Sequence, residues 1–283
     1  MLLLKGAPVA QSITAQVNAD AAQLELEGVV PRLSIVRMGE DPSDIAYENA
    51  AIKRCGMTGV AVKQVTLPAS ATQEAVIAMI DWLNKDDSIH GILILRPLPK
   101  HIDEAAVCAA LNSEKDVDGI TAVSLGGVFA GHDAGFPPCT AQACIDLLEF
   151  YSYGFAGKRA VVVGRSLAVG KPVSMLLLNR HATVTVCHTR TRDLHKICRE
   201  AELVIVAAGV KGVVDGSFLS LSQTVVDVGI HVSEDGKLSG DIDMGDRQVE
   251  AYTPVPGGVG SVTTAVLVKH VVIAARRQKR PGM

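Results

Sequence analysis

A glycine-containing turn in the second half of the chain has the residue types of a phosphate-binding site. The apolar run at residues 160–163 leads into Gly164, Arg165 and Ser166, and a helix pattern begins at Lys171. A buried strand followed by such a turn presents backbone N–H groups and a positive helix end, which suit a pyrophosphate. The G-x-G-x-x-G spacing is absent, so an ordinary strand-to-helix turn with glycine for tightness explains the segment equally well.

The next predicted strand bears on which dinucleotide this turn would accept. NAD sites usually place a carboxylate about 20 residues past the glycine turn, where it binds the ribose 2′-hydroxyl. Here the strand ends in His-Thr-Arg-Thr-Arg at residues 188–192, no carboxylate follows it before Asp193, and Arg165 lies in the first turn. Guanidinium groups pair well with a 2′-phosphate. The residues therefore favour NADP over NAD, with a solvated basic loop as the alternative.

Helix-like and strand-like segments alternate along the chain, which predicts parallel sheets with right-handed crossovers and hence an α/β fold. Apolar β-branched runs predict strands at residues 31–37, 60–67, 91–95, 160–163, 183–187, 203–207 and 224–228. Helical patterns occupy residues 11–27, 43–55, 73–84, 141–150, 171–179 and 262–277. The glycine-rich region 121–138 is interpreted as an irregular seam between two α/β lobes, and the basic run 276–280 as a solvated, frayed end.

Composition limits the class of function. The chain has 283 residues, of which 48% are hydrophobic and 4% aromatic, with a net charge of −3. This predicts an aliphatic core and gives no attraction to nucleic acid. No apolar run is long enough to span a membrane and the N-terminus does not resemble a signal peptide, so we expect a cytoplasmic protein that binds no membrane. The six cysteines and eight histidines show no ligand spacing, which argues against disulfides and a metal site.

Several short motifs follow one another along the chain. They are Gly-Glu-Asp-Pro at 39–42 with Tyr47, Arg-Pro-Leu-Pro at 96–99, Lys-Asp-Val-Asp-Gly at 115–119, Pro-Cys-Thr at 138–140, the glycine turn at 163–172, Asp-Val-Gly-Ile at 227–230 and Thr-Pro-Val-Pro-Gly-Gly-Val-Gly at 253–260. In this order they resemble the methylenetetrahydrofolate dehydrogenase/cyclohydrolase family, and the resemblance spans nearly the whole chain.

The resemblance implies a fold and a reaction. Two α/β lobes flank a cleft, in a homodimer: a folate-binding catalytic lobe at 1–138, with the C-terminal helix 262–283 packing back on it, and a Rossmann-like NADP-binding domain at 139–261. The implied reaction, in one-carbon folate metabolism, oxidises 5,10-methylenetetrahydrofolate to 5,10-methenyltetrahydrofolate with NADP. Many members then hydrolyse that product to 10-formyltetrahydrofolate.

The resemblance also assigns roles to residues. Asp118 matches the carboxylate that binds the pterin amino edge, and Tyr47 matches the tyrosine against the folate ring system; these are the predicted catalytic residues, and both contact substrate. Without the resemblance, a capping aspartate and a core or interface tyrosine would be the preferred interpretations. The other predicted substrate-binding residues are Leu95, Pro256, Gly257, Gly260 and Thr263. The predicted cofactor-binding residues are Thr140, Gly164, Arg165, Ser166, Thr189, Arg190 and Ile230.

Two positions depart from the family pattern. Bifunctional members carry a lysine four residues after the tyrosine and a glutamine two residues before Pro-Leu-Pro, where this chain has Ala51 and Leu95. Lys53 faces away from Tyr47 on a 3.6-residue helix, and Arg96 is interpreted as a surface arginine. Hydride transfer needs alignment and a dry site, whereas hydrolysis benefits from a positioned proton-handling group.

We therefore expect the dehydrogenase activity, with the cyclohydrolase activity lost or weakened. One alternative is a bifunctional enzyme that uses Arg96, Lys53 or bound water. The other is a non-catalytic nucleotide-binding module with this fold.

Overall fold

A computed structural model describes residues 1–233 and 235–279, in which helices and strands alternate along the chain. The helices are α1 (Gly6–Leu26), α2 (Pro42–Gly56), α3 (Gln73–Lys85), α4 (Glu104–Ala110), α5 (Ala122–Ala130), α6 (Cys139–Phe150), α7 (Gly170–Leu178), α8 (Leu194–Glu200) and α9 (Gly260–Gln278). The strands are β1 (Leu2–Leu3), β2 (Arg32–Met38), β3 (Ala61–Leu67), β4 (Gly91–Ile94), β5 (Arg159–Val163), β6 (Thr183–Cys187), β7 (Leu203–Val206), β8 (Val214–Asp215), β9 (Thr224–Asp227), β10 (His231–Val232), β11 (Leu238–Ser239), β12 (Ile242–Asp243) and β13 (Ala251–Tyr252).

Two parallel sheets carry the architecture. One has three strands in the order β3-β2-β4, and the other has six in the order β1-β13-β9-β7-β5-β6. The two-residue strands β10 and β11 pair with each other, as do β8 and β12. Parallel strands need crossover connections, and the helices between them supply these. The α/β class predicted from the alternation is confirmed.

The chain forms two compact units. One contains residues 1–11, 128–131 and 140–263 and holds the six-stranded sheet; the other contains residues 12–127, 132–139 and the chain from 264 onward, and holds the three-stranded sheet. Parallel pairing of Leu2 with Ala251 and of Leu3 with Tyr252 adds β1 to the six-stranded sheet. The predicted folate-binding and NADP-binding lobes, with a division after residue 138, remain a prediction.

Aliphatic side chains fill both units, as the low aromatic content predicts. Every residue of β4, β7 and β9 is buried, which is typical of parallel strands covered by helices on both faces. Covering both faces leaves the ends of the strands, and the loops that follow them, as the accessible edge of each sheet.

The interpretation of residues 121–138 as irregular is wrong, because α5 occupies much of this region. The Thr121 hydroxyl accepts a hydrogen bond from the Ser124 N–H at 3.2 Å, as an N-capping side chain does. The two glycines of α5 obscured its helical pattern in the sequence.

The interpretation of the basic end as solvated and frayed is wrong only about fraying, because Arg276 and Arg277 are exposed but belong to a helix. Arg276 pairs with Asp20 at 3.0 Å, and Arg277 donates to the Gly135 carbonyl at 3.0 Å while its guanidinium lies over the Phe136 ring. Both arginines belong to α9, which ends at Gln278. Residues 280–283 of the predicted helix 262–283 lie outside the described residues.

Candidate active site

The segment 115–119 (Lys-Asp-Val-Asp-Gly) is fixed by its own polar groups. Lys115 is buried and donates to two backbone carbonyls at the end of α3, at 3.1 and 2.8 Å. The buried Asp116 carboxylate accepts from two backbone N–H groups of the following turn and from the Ser124 hydroxyl at 2.6 Å. Gly119 has a φ of +69°, and a Cβ there would lie 2.5 Å from the Phe136 carbonyl oxygen. These contacts set the position of Asp118, and no local pattern in the sequence predicts them.

Asp118 lies among charged and polar groups. Its Oδ2 is 3.8 Å from Nη2 of Arg96. Burial raises the pKa of Asp118 from 3.8 to about 6, the Arg96 charge lowers it, the nearby Asp116 raises it, and a hydrogen bond from Cys139 lowers it. The carboxylate is therefore ionised at neutral pH and becomes neutral in mild acid.

Tyr47 lies on α2, which begins as its sequence predicts. The Asp41 side chain accepts the Ser43 N–H at 2.8 Å and Pro42 is the first helical residue. Burial, followed by the charges of Asp118 and Cys139, holds the pKa of the Tyr47 phenol well above its usual value. Tyr47 and Asp118 thus lie close enough to interact, and the phenol stays neutral.

The two departures from the family pattern both present apolar side chains. Ala51 is fully buried one helical turn after Tyr47, and Leu95 is 5% exposed at the end of β4. Lys53 is exposed on α2. No polar group therefore stands at residue 51 or residue 95.

Arg96 is not the surface arginine expected from the sequence. Its side chain is 25% exposed, its Nη1 donates to Glu104 Oε1 at 3.1 Å, and its Nη2 faces Asp118. Glu104 begins α4, and Asp103 caps that helix by accepting from two backbone N–H groups. The helix start therefore positions the carboxylate that holds Arg96.

A buried cysteine and histidine adjoin the same segment. Cys139 Sγ lies 3.2 Å from the Val117 carbonyl oxygen and 3.7 Å from His270 Nδ1, which is itself 2.9 Å from that carbonyl. His270 lies within the apolar face of α9, where the sequence pattern alone did not distinguish it. Thr140, a predicted cofactor residue, follows Cys139 as the second residue of α6.

The glycine turn has the predicted strand–turn–helix order, from β5 through Gly164 to α7. Gly164 has a φ of +129°, and a Cβ there would lie 2.1 Å from the Ala207 carbonyl oxygen. A Cβ on Gly170 would lie 2.2 Å from the Gly164 carbonyl oxygen. Close packing alone thus requires both glycines, whereas Arg165 and Ser166 are exposed at the end of the strand. The Ser166 hydroxyl accepts the N–H groups of Val169 and Gly170 at 3.2 and 3.5 Å, so it caps the start of α7. The turn thus has the strand–turn–helix form of a phosphate cradle, with the Arg165 side chain exposed beside it.

The basic loop after β6 is also exposed at Thr189 and Arg190. The Thr191 hydroxyl accepts the His188 N–H at 2.8 Å, and His188 Nδ1 accepts the Arg190 N–H at 3.1 Å. The loop is therefore held by its own hydrogen bonds, and these do not use the Arg190 guanidinium.

A buried carboxylate that sequence reasoning missed joins the loops after β7 and β9. Asp241 Oδ2 accepts the N–H groups of Ala208 and Gly209 at 2.7 and 2.9 Å. Its Oδ1 lies 2.7 Å from His231 Nε2. These bonds hold the loop that carries Ile230, which is 59% exposed. An aspartate in a short polar segment gave no sequence signal of this role.

The proline- and glycine-rich loop before α9 lies in the same unit as the glycine turn. Pro256, Gly257 and Gly260 are exposed, whereas Thr263 is buried and its hydroxyl donates to the Val259 carbonyl at 3.4 Å. A Cβ on Gly260 would lie 3.1 Å from the Ile230 side chain, so these two predicted residues adjoin.

The predicted site residues thus fall into two groups. Tyr47, Leu95 and Asp118 lie in the unit with the three-stranded sheet, and the predicted cofactor residues lie in the unit with the six-stranded sheet. Within residues 1–233 and 235–279, no group of histidine, cysteine or acidic side chains is arranged to hold a metal ion. No helix in the described part of the chain is long and apolar enough to cross a membrane.

Two family models match the chain, and together they cover most of it. Residues 4–118 match the catalytic domain, and residues 138–279 the NAD(P)-binding domain, of tetrahydrofolate dehydrogenase/cyclohydrolase. The bifunctional protein FolD of Clostridioides difficile (strain 630) is 43% identical over 278 residues, which are 98% of this chain and 97% of that protein. The bifunctional protein FolD of Carboxydothermus hydrogenoformans is 45% identical over 275 residues, or 96% of each chain.

Solved structures agree with the sequence comparisons. The methylenetetrahydrofolate dehydrogenase/cyclohydrolase FolD of Campylobacter jejuni superposes with a TM-score of 0.96 at 37% identity, over 99% of this chain and 100% of that one. The Trypanosoma brucei enzyme, solved with NADP and an inhibitor, gives a TM-score of 0.92 at 34% identity over 98% of both chains. The predicted Rossmann-like nucleotide-binding domain is confirmed.

Proposed function

Because the chain belongs to the tetrahydrofolate dehydrogenase/cyclohydrolase family, we propose that it oxidises 5,10-methylenetetrahydrofolate to 5,10-methenyltetrahydrofolate with NADP. The observation that carries the proposal is the Asp118 carboxylate held beside Tyr47 and Arg96, within the catalytic-domain match.

The substrate contacts follow from the chemistry of these groups. The ionised Asp118 accepts two neighbouring N–H donors from the 2-amino-4-oxo ring of the pterin. Tyr47 stays a neutral phenol and lies against the ring system of the folate. Ala51 and Leu95 keep that side of the site apolar, which excludes water and favours direct transfer of a hydride.

The turn after β5 fits a dinucleotide. The start of α7 after a buried strand suits a pyrophosphate, and the exposed Arg165 and Arg190 suit a 2′-phosphate. NADP supplies the nicotinamide ring that accepts the hydride. The remaining proposed contacts to the cofactor and to the folate are Thr140, Ser166, Thr189, Ile230, Pro256, Gly257, Gly260 and Thr263.

The site lacks the proton-handling side chain that would assist hydrolysis of the methenyl product. Lys53 is exposed on α2, and Arg96 has its charge engaged by two carboxylates. A guanidinium does not release a proton near neutral pH, so Arg96 does not replace a lysine in that step. We therefore propose a dehydrogenase with little or no cyclohydrolase activity. The alternative is a bifunctional enzyme like the relatives that carry that name, in which water replaces the missing side chains.

One assay separates these proposals. Purified protein is mixed with 5,10-methylenetetrahydrofolate and NADP, then with NAD, while the methenyl absorbance is followed. The protein is then given 5,10-methenyltetrahydrofolate, and the decay of that absorbance is compared with the spontaneous rate. Oxidation with NADP and spontaneous decay support the proposal. Accelerated decay supports the bifunctional enzyme, and no oxidation with either cofactor supports a nucleotide-binding module.

The homodimer and the cytoplasmic location remain predictions from the resemblance and the sequence. Light scattering on the purified protein tests the first, because a mass of about one chain (29.7 kDa) would contradict it. Cell fractionation tests the second.

A further inference from the structure

Arg96 stands out among the groups around Asp118 because part of its guanidinium is unused. Nη1 donates to Glu104 at 3.1 Å, and Nη2 lies 3.8 Å from Asp118 Oδ2, which is an ion-pair distance rather than a hydrogen bond. Within residues 1–233 and 235–279, the Nε atom of Arg96 is buried and has no hydrogen-bond acceptor. A buried donor without an acceptor lowers the stability of the folded protein, so an acceptor supplied by a ligand would stabilise this atom.

The unused donor shares an edge of the guanidinium with the nitrogen nearest Asp118. A guanidinium is planar, and its Nε–H and one Nη2–H lie side by side on one edge. Nη2 is 3.8 Å from Asp118 Oδ2, so a ligand held by that carboxylate lies next to the edge that carries the Nε–H. The two side chains therefore offer adjacent acceptors and donors: two carboxylate oxygens, followed by two N–H groups.

The pterin edge has the complementary pattern. In a 2-amino-4-oxo ring, the 2-amino group and the ring N3–H are donors, and the 4-oxo oxygen next to them is an acceptor. Asp118 satisfies the donors. In the orientation that puts N3–H on Oδ2, the carboxylate oxygen nearer Arg96, the 4-oxo oxygen lies on the side of Arg96.

We propose that Arg96 is a specificity residue that donates from Nε to the 4-oxo oxygen of the folate, so that Arg96 and Asp118 together read the whole 2-amino-4-oxo edge. This inference rests on the proposed function, since it takes a reduced folate as the ligand of Asp118. Glu104 is the positioning residue that holds the guanidinium in place.

The test uses two ligands whose only substituent difference is at position 4. Folic acid has the 4-oxo oxygen and an N3–H, whereas aminopterin has a 4-amino group and no N3–H. The change at N3 affects Asp118 in every variant alike, so it cancels when the ligand preference of each variant is compared with that of the wild type. Binding of each is measured by calorimetry on the wild-type protein, on Arg96→Met, on Arg96→Lys, and on Lys100→Met as a matched control. Lys100 is exposed three residues after Pro97, outside the proposed site.

We expect Arg96→Met to weaken folic acid binding about 10- to 100-fold, as loss of a hydrogen bond to a charged group does. Binding of aminopterin weakens less or improves, so the preference for folic acid falls. Arg96→Lys, which keeps a charged donor, restores part of that preference, and Lys100→Met leaves it unchanged. In the dehydrogenase assay, Arg96→Met raises KM for the folate while kcat changes less than about threefold.

The inference is overturned if Arg96→Met binds folic acid as the wild type does, or if it loses both ligands equally, since an equal loss indicates a purely structural role. Calorimetry needs no turnover. A wild-type protein that oxidises no methylenetetrahydrofolate but shows the predicted change in ligand preference would refute the proposed reaction and support this inference.

Discussion

Replacing Asp118 with asparagine has two opposite consequences. The carboxylate is proposed to bind folate, yet its burial raises its pKa from 3.8 to about 6, so ionising it in the folded protein is unfavourable. Asp118→Asn removes the charge and keeps the shape. We expect the variant to fold more stably than the wild type at neutral pH and to bind folate at least about 100-fold more weakly, because charge-assisted hydrogen bonds are lost.

The size of the stability gain follows from the pKa. A rise from 3.8 to about 6 corresponds to about 3 kcal/mol of folding free energy at neutral pH, which is an upper value because asparagine also weakens the hydrogen bond from Cys139. The sign follows from linkage: the raised pKa stabilises the folded wild type below about pH 4, and that contribution disappears as pH rises through about 6. The advantage of Asp118→Asn is therefore largest above about pH 7 and falls to about half by pH 5.

Urea unfolding at pH 7 and at pH 5 measures the difference in folding free energy between Asp118→Asn and the wild type. Asp81→Asn, an exposed aspartate on α3, is the matched control and changes stability little at either pH. Folate binding by the wild type also falls roughly tenfold between pH 7 and 5, as Asp118 becomes protonated beside Arg96, Asp116, Cys139 and Tyr47. An Asp118→Asn protein less stable than the wild type at neutral pH would refute the assigned burial cost. A wild-type binding profile that stays flat would refute the role of its charge.

Three further predictions concern the other parts of the site. Ala51→Lys together with Leu95→Gln adds methenyltetrahydrofolate hydrolysis, measured as absorbance decay, whereas Ala51→Lys alone adds little because the lysine lacks its partner. Gly164→Ala lowers stability by about 1–3 kcal/mol and raises KM for NADP, because its Cβ would lie 2.1 Å from the Ala207 carbonyl oxygen at a φ of +129°. Arg165→Ala raises KM for NADP about tenfold while KM for NAD changes little, since only NADP carries the 2′-phosphate.

For each of these three predictions, one result would contradict the reasoning. Hydrolysis gained from Ala51→Lys alone would show that the two positions act independently. A Gly164→Ala protein with wild-type melting temperature would show that the turn relaxes at no cost. Equal losses with both cofactors would place Arg165 on the pyrophosphate rather than on the 2′-phosphate.

Local sequence patterns located most of the elements. The alternating apolar runs located the longer strands, and Asp41 with Pro42 marked the start of α2, because capping and periodicity are short-range effects. Patterns failed for α5, whose glycines and apolar residues give no amphipathic stripe, and whose capping bond from Ser124 to Thr121 is visible only in the structure.

The sequence by itself determined the α/β class, the motifs that mark the family, and the absence of a lysine and a glutamine at residues 51 and 95. It also indicated a cofactor with a 2′-phosphate. Only the tertiary structure decided the surroundings of those residues: Arg96 beside Asp118 and Glu104, Asp241 tying two strand-end loops, and Cys139 with His270 against Val117. Most of these contacts join residues that are far apart in the chain, and a local sequence pattern does not predict them. The burial that raises the pKa of Asp118 comes from tertiary packing, which no local pattern encodes either.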